Sequence, residues 1–73
     1  FADNRLNEIK PFTFANLNSL EKLELQDNPI KFLNQHSFNG LENLKYLDLT
    51  NNKLLEIDPN VFQNLSNLQT LKL

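Results

Sequence analysis

Cysteine, methionine and tryptophan are absent from the 73 residues, and glycine and histidine occur once each. Without a thiol there is no disulfide framework, no thiolate nucleophile and no cysteine-based zinc site. His36 has no second imidazole or thiol with which to share a metal, and no serine is placed by sequence to act as its nucleophile. Catalytic residues, metal ligands and cofactors are therefore not expected. An excess of one charge is missing too: 7 Lys and Arg face 9 Asp and Glu, for a formal net charge of −2, with no block of one sign. That leaves no direct evidence for nucleic-acid binding and no basic face for anionic lipid. No apolar run approaches the roughly 20 residues of a membrane helix, and no signal-peptide pattern is present, so membrane contact is not expected of this segment. The length allows one small unit.

Leucine and asparagine are abundant instead, with 16 and 13 residues. Leucine favours helix and asparagine disfavours it, and spacing resolves the conflict. Shifting the chain by 24 positions superposes Phe14, Phe38 and Phe62, then Leu17, Leu41 and Leu65, then Leu20, Leu44 and Leu68. Leu23, Leu47 and Leu71 follow, as do Asn4, Asn28 and Asn52. A fixed period of this size is the mark of a solenoid, in which each unit buries its apolar face against the next.

Within each unit, apolar and polar residues alternate from Leu23 to Leu25 and from Leu47 to Leu49, which predicts parallel strands near 22–25, 46–49 and 70–73. The alternation turns Leu23, Leu25, Leu47 and Leu49 inward and Lys22, Glu24, Gln26, Tyr46, Asp48 and Thr50 outward, with Thr70 and Lys72 continuing the outer face. Asp27-Asn28-Pro29 and Asn51-Asn52-Lys53 then bend the chain. The second half of each unit has apolar residues at mixed spacings and is interrupted by Pro11 and Pro59, which predicts irregular or single-turn 3₁₀ structure. Thr13, Ser37 and Val61 share a slot expected to be small and buried, and His36 beside it is expected in a solvated loop.

These residues resemble the 24-residue class of leucine-rich repeats, of the form LxxLxLxxNxLxxIxxxxFxxLxx. The resemblance covers a partial repeat at 1–19, repeats at 20–43 and 44–67, and a partial repeat at 68–73. Phe1 falls in the phase of Leu25, Leu49 and Leu73, so we expect an interior piece of a longer solenoid without its caps. The resemblance implies an α/β solenoid: a right-handed coil with a parallel concave sheet, an irregular convex side, a ladder of Asn4, Asn28 and Asn52, and a spine of Phe14, Phe38 and Phe62. The chemistry of these residues agrees. An interior amide needs partners that a tight turn and the adjacent coil can supply, and in-phase rings can stack.

The phrasing Ile57-Asp-Pro-Asn-Val-Phe62-Gln-Asn-Leu65-Ser-Asn-Leu68 resembles ectodomains of the Toll-like receptor class. That likeness implies a protein-recognition module, extracellular or at the cell surface, binding a protein ligand or a partner ectodomain and compatible with a dimer of the parent protein. Matrix or cell-adhesion proteins use the same phrasing and are the alternative, and an enzyme with an array beside its catalytic domain would carry an identical piece. The concave residues Lys22, Glu24, Gln26, Tyr46, Asp48, Thr50, Thr70 and Lys72 are the expected binding surface. Tyr46, Phe32 and Phe12 are aromatics in slots the repeat does not bury, and Tyr46 is the expected anchor. Asn64-Leu65-Ser66 is the one N-glycosylation sequon. Its slot mates Asn16 and Gly40 suggest a left-handed turn that exposes Asn64.

Overall fold

A computed structural model describes residues 5–73. Six short strands run along it: β1 (Glu8–Ile9), β2 (Lys22–Glu24), β3 (Phe32–Leu33), β4 (Tyr46–Asp48), β5 (Glu56–Ile57) and β6 (Thr70–Lys72). They form two parallel three-stranded sheets, ordered β1-β3-β5 and β2-β4-β6. Every register partner lies 24 residues away, as in Leu23 with Leu47 and Leu47 with Leu71. The repeat is thus converted directly into coil stacking.

The second sheet, β2-β4-β6, is the one expected from the alternation. The first was not anticipated: two-residue strands are too short to display a period, and Glu8–Ile9 pairs only because Phe32–Leu33 lies one coil away. The remainder of each unit is turn, over 11–16, 35–40 and 59–64, and no helix occurs among the described residues. The expected single-turn character survives as isolated i to i−3 bonds: the amides of Leu17, Leu41 and Leu65 donate to the carbonyls of Phe14, Phe38 and Phe62 at 3.1, 3.3 and 3.1 Å.

The core lies between the sheets and these turns, with Leu25, Ile30, Phe38, Leu41, Leu44 and Leu47 fully buried. Phe38 stacks on Phe14 at 6.3 Å and on Phe62 at 6.1 Å between ring centroids. Apolar rings and leucines exclude water from the turns, so their polar groups must be satisfied from within. Asparagine does this. Asn28 donates its amide hydrogens to the carbonyls of Leu25 and Gln26 at 3.0 and 3.2 Å and accepts the Leu6 amide of the preceding coil at 3.2 Å. Asn52 donates to Leu49 of its own coil and Leu25 of the one before, both at 2.9 Å, and accepts the Ile30 amide at 3.3 Å. Asn4 lies outside the described residues.

Asp27 and Asn51, each directly before a ladder asparagine, adopt left-handed backbone with φ 63° and 59°. Short polar side chains tolerate that conformation best. Asn51 is exposed, and its amide donates to the Asp27 carboxylate at 2.9 Å. Asn52→Ala is expected to cost about 1–3 kcal/mol more than Asn51→Gly, because only the former leaves buried backbone groups unpaired. Urea denaturation of both variants measures the difference, and equal midpoints would refute the ladder role of Asn52.

Candidate functional site

The outward face of β2-β4-β6 is built from three strands that hold their side chains one coil apart. Lys22, Tyr46 and Thr70 form one row and Glu24, Asp48 and Lys72 the next. Gln26 and Thr50 extend the face just beyond the strand ends, where the amides of Leu25 and Asp27 donate to the carbonyls of Asp48 and Thr50 at 2.8 and 3.0 Å. Tyr46 stands at the centre, half-buried. The Lys22 ammonium lies 5.0 Å from its ring centroid and the Lys72 ammonium 5.5 Å from it, so cations from both neighbouring coils approach the phenol.

The carboxylates belong to the same network. Glu24 pairs with Lys22 at 3.0 Å, and hydrogen bonds from Lys22 and Gln26 hold its carboxyl below the ordinary glutamate value. The Glu24 carboxylate in turn raises the Lys22 ammonium. Asp48 accepts the Thr50 amide at 2.9 Å. Its carboxyl is lowered chiefly by the Thr50 hydroxyl and amide, with Lys72 and the Tyr46 hydroxyl adding to them. Glu24 and Asp48 are therefore each held ionised by their own neighbours, Glu24 by Lys22 and Gln26 and Asp48 chiefly by Thr50, whereas a catalytic dyad would need one of the two carboxyls raised.

Because both carboxyl values are lowered by folding, the stabilisation they contribute is complete above the ordinary carboxylate range and is lost as pH falls through the lowered values. Carbon-detected titration should place the Asp48 midpoint below that of the urea-unfolded chain, and Thr50→Val should move it back up. A folded midpoint equal to the unfolded one would remove the Thr50 contribution.

The convex side carries a second polar clamp that the sequence reading missed. Ser37, fully buried, donates its hydroxyl to the Ile9 carbonyl at 2.9 Å, and Asn34 donates its amide to the same carbonyl at 3.2 Å. The small slot is thus buried at Ser37 and Val61, whereas Thr13 is exposed and turns its hydroxyl to the Lys10 carbonyl of its own turn at 2.8 Å. His36 is only half-exposed. Its ring stacks on Phe12 at 5.0 Å, and Nδ1 accepts the Asn39 amide at 3.0 Å. A histidine three residues before an asparagine in a tight turn was the available signal for that bond.

Asn64 is exposed, as are Asn16 and Ser66, while Leu65 between Asn64 and Ser66 is buried. The left-handed turn expected for this slot exists at Gly40, with φ 98°, but not at Asn16 or Asn64. The Asn64 amide instead donates to the Asn39 side-chain carbonyl of the adjacent coil. At Gly40 the backbone of Ala15 in the adjacent coil lies so close that a side chain has no room.

Among the described residues no three His, Asp or Glu side chains come together in a way that could hold a metal ion, and no helix is long and apolar enough to cross a membrane. No curated protein matches the chain closely. A family model described as leucine rich repeat matches residues 2–54 and, in a second overlapping placement, residues 19–73. With 24-residue register, parallel strands and in-phase core all accounted for, the chain belongs to the leucine-rich repeat family, whose arrays are generally non-enzymatic modules that bind other proteins.

Proposed function

We propose that this chain is a protein-recognition segment of an extracellular receptor ectodomain of the Toll-like class, binding a protein ligand or a partner ectodomain through the outward face of β2-β4-β6. The observation that carries the reading is Tyr46: a half-buried aromatic between the ammonium groups of Lys22 and Lys72, on regular strands, beside the lowered carboxylates of Glu24 and Asp48. A rigid ring whose surroundings are already ordered loses little entropy when a partner arrives, which is the usual property of an interface anchor. Lys22, Gln26, Thr50, Thr70 and Lys72 supply the polar rim. Asn64 carries an N-linked glycan in this reading, on the opposite side from the contact.

The test places a photo-crosslinking amino acid at Thr50 or at Asn60 in the parent protein displayed on eukaryotic cells. A protein adduct should form from position 50, not from position 60, and Tyr46→Ala should reduce it at least tenfold, as loss of an anchor does. An adduct from position 60 alone would move the contact to the convex side. An unmodified Asn64 in the secreted protein would remove the glycan.

A further inference from the structure

Of the 13 asparagines, Asn39 alone is followed by glycine, and every other is followed by a residue that carries a side chain. An asparagine carboxamide is a latent electrophile, because the backbone nitrogen of the next residue can attack its Cγ and close a five-membered ring. Glycine leaves that nitrogen unshielded, since it has no Cβ to obstruct a close approach. The slot mates of Asn39 are Ala15 and Gln63, neither of which can close the same ring. The reactive dipeptide therefore belongs to the middle coil and not to the repeat.

The folded chain holds this dipeptide in an unreactive arrangement. The Leu41 amide donates to the Phe38 carbonyl at 3.3 Å, Gly40 has a φ of 98°, and Asn39 is not among the residues of positive φ, which together define a type II turn centred on Asn39 and Gly40. Such a turn sets ψ of its first central residue near about +120°, which points the Gly40 nitrogen away from the Asn39 side chain, whereas ring closure needs the two eclipsed. The carboxamide is held as well: Nδ2 donates to His36 Nδ1 at 3.0 Å, and Oδ1 accepts the Asn64 amide of the next coil. Hydrogen bonding does not shield the nucleophile, since the Gly40 amide donates to no acceptor among the described residues. Protection rests on conformation, and the Ala15 backbone pressed against Gly40 keeps the turn from swinging round in place.

We propose that Asn39-Gly40 is a deamidation site that the fold keeps closed and that opening of this coil releases, so that the modification records the opening. In the opened segment the Gly40 nitrogen gives its proton to solvent and bonds to Asn39 Cγ, the Cγ–Nδ2 bond breaks, and Nδ2 leaves as ammonia with a proton from solvent. Water then adds to one of the two carbonyls of the succinimide, and the ring opens to aspartate or to isoaspartate with no oxidant or reductant consumed. Isoaspartate lengthens the main chain by one methylene directly before Gly40. The crossing with Ala15 has no room for that displacement, so the coil does not reseat and refolding does not undo the change. The site lies on the convex side, apart from Tyr46, and a glycan on Asn64 leaves its Nδ2 one hydrogen to donate.

The test incubates the parent protein, secreted by eukaryotic cells, at neutral pH in buffer and in unfolding guanidinium chloride. Residue 39 is followed by peptide mass spectrometry, with fragmentation that separates isoaspartate from aspartate. Conversion should be roughly tenfold faster or more in the unfolded chain, because the folded one reacts only through its opened fraction. Phe38→Leu, which loosens this coil, should raise the rate in buffer about threefold or more and leave the unfolded rate unchanged. Ser66→Ala, which removes the sequon and no contact of Asn39, should change neither rate. After removal of denaturant, chains carrying isoaspartate should be cut by protease within 35–43, where unmodified chains resist. Equal rates in buffer and denaturant, no conversion in either, a folded Phe38→Leu variant with an unchanged rate in buffer, or isoaspartyl chains as resistant as unmodified ones would overturn the proposal.

Discussion

Phe38→Ala is expected to destabilise the chain by about 3–5 kcal/mol, the range for truncating a buried phenylalanine. The ring is fully buried and stacks on Phe14 on one side and on Phe62 on the other. Its removal therefore opens a cavity between coils and also ends the Phe14–Phe38 and Phe38–Phe62 ring contacts. A loss of that size is comparable with the total stability of a domain this small. The measurable outcome is loss of the cooperative urea transition, while Phe38→Leu should retain a transition at a lower midpoint. Phe12→Ala, at an exposed ring, is the control. Equal midpoints for Phe38→Ala and Phe12→Ala would show that the spine contributes no more than a surface contact.

Gly40→Ala is the second large effect, expected at about 2–5 kcal/mol, from left-handed backbone strain and overpacking together. A Cβ at this position would stand 2.6 Å from the Ala15 Cα and 2.7 Å from its carbonyl oxygen, and the φ of 98° already disfavours any L side chain. Because the obstructing atoms are backbone of the adjacent coil, no rotamer change relieves the contact and the first two coils must separate. Ala15→Gly removes no backbone atom and should not rescue the variant. Unchanged stability of Gly40→Ala would show that the coils can part at no cost. The slot mates are asparagines, so the requirement for glycine belongs to this one crossing and not to the repeat.

The strands of the β2-β4-β6 sheet were legible before any coordinates because three consecutive alternating residues recur at a fixed spacing. Lys22–Glu24, Tyr46–Asp48 and Thr70–Lys72 lie within the spans that the alternation indicated. The β1-β3-β5 sheet was not legible, since Phe32–Leu33 has no alternation to read and acquires its extended pairing from coils 24 residues away. The left-handed residues show the same division. Asp27 and Asn51 belong to a type that tolerates positive φ, but Phe12, at φ 63°, does not advertise it. Its amide is held by the His36 carbonyl at 3.0 Å and its ring by the His36 imidazole, both from the next coil.

At the candidate site, sequence alone determined which side chains leave the β2-β4-β6 sheet on the same side as Tyr46, because strand alternation is a property of local backbone geometry. It likewise determined the 24-residue phase, which makes residues such as Asn28 and Asn52 occupy equivalent environments. Only the tertiary structure decided what those environments contain: two lysines approaching one phenol, Asn34 and Ser37 sharing the Ile9 carbonyl, and a glycine pressed against Ala15. Each depends on distances between side chains of different coils. Such distances are set by how the coils pack, whereas a repeat specifies only that they pack in register.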